Sequence, residues 1–176
     1  MALSSCALIG SIVRDCRDSA GGVLEIKVKV LPSLATLAND YTVSSGTVTV
    51  ATGSRTGWYT YYMQKNTALF TSVQTGNAAN GTREFKQTGL IILNKIQASI
   101  DRELNAVGQN AVQIAVRDVN NIYTLYGYEQ GMDITTAEAT TGTTKEDRNG
   151  YTVNFEGSER VSTPFMSAAT YDTLVT

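Results

Sequence analysis

The stretch Val23-Leu24-Glu25-Ile26-Lys27-Val28-Lys29-Val30-Leu31 decides the fold class, because apolar and charged residues alternate along it. Successive side chains of a β-strand point to opposite faces, so a period of two predicts a strand. One face of this strand is expected on a core and the other in solvent. The sequence on either side therefore has to supply further strands.

A short hairpin is predicted directly after this strand. Residues of β-branched and aromatic type fill Tyr41–Val43 and Thr47–Ala51, and Ser44-Ser45-Gly46 stands between them as a turn. The pattern indicates two short antiparallel strands.

Two more strands are predicted around Lys65-Asn66. The segment Gly57–Gln64 is dense in aromatic residues, and Ala68–Thr75 is apolar and β-branched. Thr75–Thr82, with two glycines and several small residues, is predicted to be a long exposed loop.

The segment Phe85–Gly108 combines two patterns. Gly89 and the β-branched Ile91 and Ile92 favour a strand, whereas helical spacing relates a later set of apolar residues: Leu93, Ile96, Ile100, Leu104 and Val107. We predict a strand to about Lys95 and then a helix near 98–107, with Ser99 as its cap and Gly108 at its end.

The second half of the chain has the pattern of an all-β fold. Four more short strands are predicted, at Ala111–Arg117, Ile122–Glu129, Met132–Ala139 and Tyr151–Glu156. About nine strands and one helix indicate a mainly β domain, an antiparallel β-barrel or sandwich with one flanking α-helix. We place this domain at 23–160, between an N-terminal arm at 1–22 and a C-terminal arm at 161–176.

Composition narrows the function classes. Hydrophobic residues make up 42% of the 176 residues and charged residues 17%, which is typical of a folded domain, and the net charge of −2 disfavours tight binding to nucleic-acid phosphates. The chain contains no histidine, so a catalytic triad lacks its usual base. Carboxylate pairs remain for general acid and base chemistry, at Asp101 and Glu103, Glu146 and Asp147, and Glu156 and Glu159. A solvated charge is the ordinary explanation of each pair, and we predict that the protein is not an enzyme.

No cofactor, metal or membrane span is predicted. Cys6 and Cys16 are too few for a disulfide framework or a zinc site, and they are interpreted as reduced, partly buried thiols. Gly89–Leu93, the longest uncharged apolar run, is far shorter than a membrane span. The aromatic residues Trp58–Tyr62 could line a sugar- or base-stacking surface, but core and subunit contacts are the more ordinary use of such side chains.

The order of motifs in the second half resembles a known family. Glu103-Leu104-Asn105 is followed by Val112–Asp118, Tyr123–Gly131, Thr141-Gly142 and Asp147–Phe155. This order is similar to that of the tail tube and tube-like virion proteins of tailed bacteriophages, especially phages of Bacteroidetes. Two terminal segments, Cys16–Val23 and Pro164-Phe165-Met166, resemble the opening and the closing of that group, whereas 33–81 departs from it.

The resemblance implies a virion structural protein made in the host cytoplasm, a tail tube subunit. Six copies would close into a ring, and rings would stack into a conduit through which genome DNA is ejected without being bound tightly. Other tail or connector proteins would be further partners. A head-to-tail connector or collar ring of the same fold, and a capsid decoration or binding module, remain as alternatives.

Two candidate surfaces follow from this hypothesis. A conduit for DNA should not grip phosphates, and five acidic residues are candidates for a lumen surface: Glu129, Asp133, Glu138, Glu146 and Asp147. Four residues of the predicted loop are candidates for contacts between rings: Gly76, Asn77, Asn80 and Gly81. The N-terminal arm, this loop and the tail after Pro164 are expected to be mobile in the monomer and ordered in the tube.

Overall fold

The computed structural model describes Ile12, residues 19–77 and residues 79–176 of the chain. Cys6, Cys16 and most of the predicted N-terminal arm lie outside the described residues. The strands are β1 (Val23–Val30), β2 (Tyr41–Ser44), β3 (Thr47–Val50), β4 (Tyr59–Tyr62), β5 (Ala68–Asn77), β6 (Thr82–Asn94), β7 (Val112–Asp118), β8 (Tyr123–Tyr126), β9 (Asp133–Thr140), β10 (Gly150–Glu159) and β11 (Phe165–Met166). The α-helices are α1 (Leu34–Asp40), α2 (Ala98–Val107) and α3 (Ala168–Asp172).

The strands form two open sheets. A seven-stranded sheet has the order β2-β3-β11-β8-β7-β1-β4, and a four-stranded sheet has the order β5-β6-β10-β9. Every pairing is antiparallel except that of β11 with β3. The mainly β prediction is confirmed in its sandwich form, because neither sheet closes on itself into a barrel.

The main core lies between the two sheets. From the seven-stranded sheet it takes Ile26, Val28 and Ile114, and from the four-stranded sheet Ile91, Val153 and Phe155, all of them almost completely buried. Leu104 and Val107 of α2 join this core, so the helix closes one side of it. Burial of these apolar surfaces is the main stabilisation of the sandwich.

A second core covers the other face of the seven-stranded sheet. Trp58, Tyr171 and Leu174 are almost completely buried in it, and α1 adds Leu37. The expectation that the charged face of β1 meets solvent is therefore wrong. Lys27 is only 8% exposed, because the segment around α3 lies over it.

The predicted long loop at Thr75–Thr82 is corrected by the structure. β5 continues to Asn77 and pairs with the start of β6, with Gly76 opposite Arg83 and Asn77 opposite Thr82. The connection shrinks to residues 78–81, where Gly81 has a φ of 64°, which suits glycine. Small residues here allow a tight hairpin rather than an extended loop.

The change from strand to helix after β6 was predicted correctly, but the cap was not. Residue Gln97 precedes α2 in an extended conformation and makes no side-chain capping bond, so Ser99 lies inside the helix. The helix ends at Gly108 as expected. The short helices α1 and α3 were not predicted. Each follows a serine whose hydroxyl caps the first turn, Ser33 for α1 and Ser167 for α3.

The tail after Pro164 packs into the domain. β11 inserts between β3 and β8, with Phe165 N donating to Gly46 O at 2.8 Å and Leu125 N to Pro164 O at 3.0 Å. Beyond α3, Val175 O accepts from Trp58 N at 3.0 Å. The tail thus completes the seven-stranded sheet and the second core.

Candidate functional surfaces

The four-stranded sheet leaves its outward face uncovered, and we call this the open face. Phe155, Val153 and Ile91 point into the core, so the register places the alternate residues of each strand outward. The outward residues on its strands are Leu69, Thr71, Val73, Thr75, Glu84, Lys86, Thr88, Leu90, Ile92, Asp133, Thr136, Glu138, Thr152, Asn154, Glu156 and Ser158. The open face is rich in threonine and has no aromatic residue in this set.

The open face is held by hydrogen bonds between neighbouring strands. Thr71 and Thr88 hydroxyls lie 2.6 Å apart, and Asn154 Nδ2 donates to Thr136 Oγ1 at 2.6 Å. Glu84 accepts from Ser158 Oγ at 3.0 Å and from Thr75 Oγ1 at 3.1 Å. These bonds tie polar side chains across the sheet, beside the exposed Leu69 and Val73.

Two of the five predicted lumen residues lie on this open face. Asp133 and Glu138 are five positions apart and would point to opposite faces of a regular strand. An extra residue, Thr135, interrupts the pairing of β9 with β10, and the strand alternation shifts by one there. Asp133 and Glu138 therefore project from the same side.

The other three predicted lumen residues lie elsewhere. Glu146 and Asp147 are exposed in the connection from β9 to β10, where Asp147 Oδ2 accepts from the amides of Thr143 and Thr144, both at 2.7 Å. These bonds lower the pKa of Asp147. Glu129 is half-buried and pairs with Arg160 at 3.2 Å.

Sequence reasoning missed two acidic residues of the open face. Glu84 of β6 and Glu156 of β10 project from it, so that four carboxylates stand against Lys86 among the outward residues named above. Both residues lie in strands whose side chains alternate between core and solvent, and this alternation places them on the solvent side. The open face is thus acidic, which suits repulsion of phosphate groups.

The candidate inter-ring residues form the exposed tip of the β5–β6 hairpin. Gly76 and Asn77 belong to β5, and Asn80 and Gly81 to the turn. β10 pairs with β6 only as far as Phe85, so the hairpin runs on beyond its neighbouring strand. A two-stranded ribbon is marginally stable alone, so a projection of this kind is suited to contact with another molecule.

The aromatic residues of Trp58–Tyr62 are divided between the core and the surface. Trp58 is completely buried, and its Nε1 donates to Ser54 O at 3.3 Å, so it cannot stack on a ligand. Tyr61 Oη donates to Glu103 Oε1 at 3.0 Å, and burial beside that carboxylate raises the pKa of Tyr61. Tyr59 and Tyr62 remain exposed, by 49% and 78%.

The candidate carboxylate pairs do not converge on one site. Glu156 projects from the open face, whereas Glu159 is 1% exposed and faces inward. Its Oε1 accepts from the amides of Glu129 and Gln130, at 3.0 and 2.9 Å, which supports the turn before β9. Burial raises the pKa of Glu159.

Two further features are absent from the part of the chain that the structure describes. No group of three or more histidine, cysteine, aspartate or glutamate side chains is placed to hold a metal ion there. No helix within these residues is long and apolar enough to cross a membrane.

Neither a family model, nor a curated protein, nor a solved structure matches this chain.

Proposed function

We propose that this chain is a virion structural protein, a tail tube subunit whose copies form stacked hexameric rings around a conduit for DNA. The observation that carries the proposal is the open face, whose charged side chains are mostly acidic. Side chains of the same charge as phosphate weaken the attachment of DNA, because no counterions are released on contact. A lumen needs a surface of this kind.

The order of sequence motifs supports the same proposal. Four motif segments from Val112 to Phe155 stand in an order that resembles that of the tail tube proteins, and they include β7, β8 and more than half of β10. The open sheets support it as well. Unpaired strand edges favour association with further copies, and a head-to-tail contact that closes gives a ring.

Electron microscopy tests assembly directly. The full chain, purified and concentrated, is expected to form rings or tubes in negative stain and to elute as an oligomer in size-exclusion chromatography. A chain that remains monomeric at every concentration would overturn the proposal.

A charge reversal tests the role of the open face. Glu84→Lys with Glu156→Lys is expected to preserve assembly and to create salt-dependent DNA binding in an electrophoretic shift assay. The matched control, Asp101→Lys with Asp172→Lys, makes the same change in net charge on α2 and α3 and should bind less DNA. Equal binding by both variants would argue against a special role for the open face.

The connector or collar ring is the second candidate, because one ring of the same fold presents the same face. Copy number distinguishes the two, since a tube contains many rings and a connector one. Quantitative mass spectrometry is expected to give a copy number per virion that is a large multiple of six. A binding module that stacks ligands on the aromatic residues of Trp58–Tyr62 is less well supported, because Trp58 is buried.

A further inference from the structure

Four strand edges of the sandwich are unpaired within the described chain, and they differ in how they are protected. β9 carries Asp133, Glu138 and the extra residue Thr135, and charges and bulges of this kind discourage pairing with another strand. β2 and β4, the two edges of the seven-stranded sheet, carry no charged residue. β5 is also uncharged, but the opposite edge of its sheet is the protected β9.

Both uncharged edges of the seven-stranded sheet have peptide groups directed away from the domain. Met63 N donates to Leu24 O at 2.9 Å, so by alternation the peptide groups of Thr60 and Tyr62 point outward from β4. On β2, Ala51 N donates to Asp40 O at 2.7 Å, which directs the peptide groups of Val43 outward. Each edge can therefore accept another strand.

Apolar side chains flank both edges. Tyr62 is 78% exposed beside a cleft of about 290 Å³ that α2 lines with Ile100 and Leu104. Beside the other edge, Val43 is 44% exposed and Leu34 of α1 is 79% exposed. Exposed apolar groups next to unpaired peptide groups are typical of a surface that a partner covers.

The edges β2 and β4 match in strand direction and in the face from which their exposed side chains project. Along the seven-stranded sheet the pairings make β2 and β4 run in opposite directions, so a sheet that continues from copy to copy joins them as an antiparallel pair. Tyr62 and Val43 project from the same face, the one covered by the second core. Alternate side chains on one face become cross-strand neighbours in such a pair.

We infer that β4 of one copy pairs with β2 of the next copy, so that the seven-stranded sheet continues around the ring. This inference rests on the proposed function and specifies which two strands meet between neighbouring copies. The contact is heterologous, since the two surfaces differ, and rotation closes it into a ring. The uncharged occupant of the β4 edge is thus β2 of a second copy, with Val43 and Leu34 covering Tyr62 on the face of the second core.

The widths of the two sheets agree with this arrangement. Strands lie ~4.8 Å apart, so six four-stranded sheets side by side give a radius of about 18 Å and six seven-stranded sheets about 32 Å. The difference, about 14 Å, is of the order of the ~10 Å that separates packed sheets. The wider sheet therefore fits outside, with the open face of the narrower sheet toward the lumen.

Single charges at the joint test the inference. In the full chain, Tyr62→Lys and Val43→Lys are each expected to raise the concentration needed for assembly by at least about tenfold, because each places an unpaired charge in the strand pair. Tyr62→Lys combined with Val43→Glu is expected to recover assembly, since opposite charges then meet across every joint. Gln109→Lys, in the exposed turn after α2, is the matched control and should assemble like the natural chain.

The outcomes separate this inference from the proposed function. If the natural chain assembles and both single variants assemble equally well, or if only Gln109→Lys fails, the β4–β2 joint is wrong and the tube proposal stands. If the double variant fails to recover, the direct pairing of the two edges is wrong. If the natural chain never assembles, both proposals fall. Circular dichroism and thermal melting must show that each variant is folded.

Discussion

The two sheets use their outward faces in opposite ways. The four-stranded sheet leaves its outward face to solvent, and the polar residues there are hydrogen-bonded across the strands. The seven-stranded sheet covers its outward face with α1, α3 and the end of the chain, so that Trp58 and even Lys27 are buried. An alternating sequence therefore shows that two faces differ, but not that the polar one meets water.

Lys27 shows how a charged residue is kept in the covered face. Its Nζ donates to Tyr171 O and Leu174 O, both at 2.9 Å, and lies 4.5 Å from the centre of the Tyr171 ring. The ammonium group thereby gains two carbonyl partners, one in the last turn of α3 and one just beyond it. Burial lowers the pKa of Lys27 below its usual value.

We expect the largest loss of stability from removal of the buried Trp58 side chain on the covered face of the seven-stranded sheet. Trp58→Ala is expected to lower the free energy of unfolding by about 3–5 kcal/mol, because it leaves a cavity in the second core. Chemical denaturation measures this loss. Tyr62→Ala, in the adjoining strand β4, is the control and should change stability by less than about 1 kcal/mol, since Tyr62 is mostly exposed. Similar losses in both variants would contradict the assignment of Trp58 to a core.

A lysine on each face gives the next comparison. Lys27→Ala is expected to cost about 2–4 kcal/mol in unfolding free energy, because two charged hydrogen bonds and a buried stem are lost. Lys86→Ala on the open face should change it by at most about 0.5 kcal/mol. Equal effects would mean that the end of the chain does not cover β1 in solution.

A buried and an exposed glutamate should differ in their pH dependence. The pKa of Glu159 in the folded state lies above its ordinary value of 4.5, so the folded chain holds that proton more tightly than the unfolded chain. Stability from this group is full below about pH 4.5 and is lost as the pH rises through the folded-state pKa. Glu159→Gln should remove that slope in unfolding curves between pH 4 and 8, whereas Glu156→Gln should retain it. A slope that persists in Glu159→Gln would locate its cause elsewhere.

The smallest effect is expected on the open face itself. Leu69 is 58% exposed there, and Leu69→Thr is expected to shift the unfolding free energy by no more than about 0.5 kcal/mol. Thermal melting measures the shift. A loss of several kcal/mol would show that the open face is covered in solution.

The sequence predicted the elements that local patterns determine. β1, the β2–β3 hairpin and the change from β6 to α2 all follow from the spacing of apolar residues and from turn residues. β11 could not be predicted in this way, because two residues carry no periodicity and its partners are more than 35 positions away in the chain. Short helices are similarly weak signals, although Ser33 and Ser167 were available as caps.

The candidate surfaces were predictable only in part. Composition pointed to an acidic segment from Glu129 to Asp147, but faces depend on register, and the extra residue in β9 cannot be located from one sequence. Glu84 and Glu156 were missed because they come from strands distant in sequence that pair only in the fold. Burial of Trp58 was missed for a related reason, since the residues that cover it lie more than 100 positions later.

The insertion of β11 has a consequence for the timing of folding during synthesis. The β2–β3 hairpin is hydrogen-bonded to the remainder of its sheet only through β11. Until residues 165–166 have left the ribosome, the sheet remains in two parts, and one of the edges that we assign to the ring is not yet fixed in place. In the ring that we infer, a growing chain would therefore lack one of its two joining edges until β11 has been made, and we expect this to delay its assembly with finished neighbours.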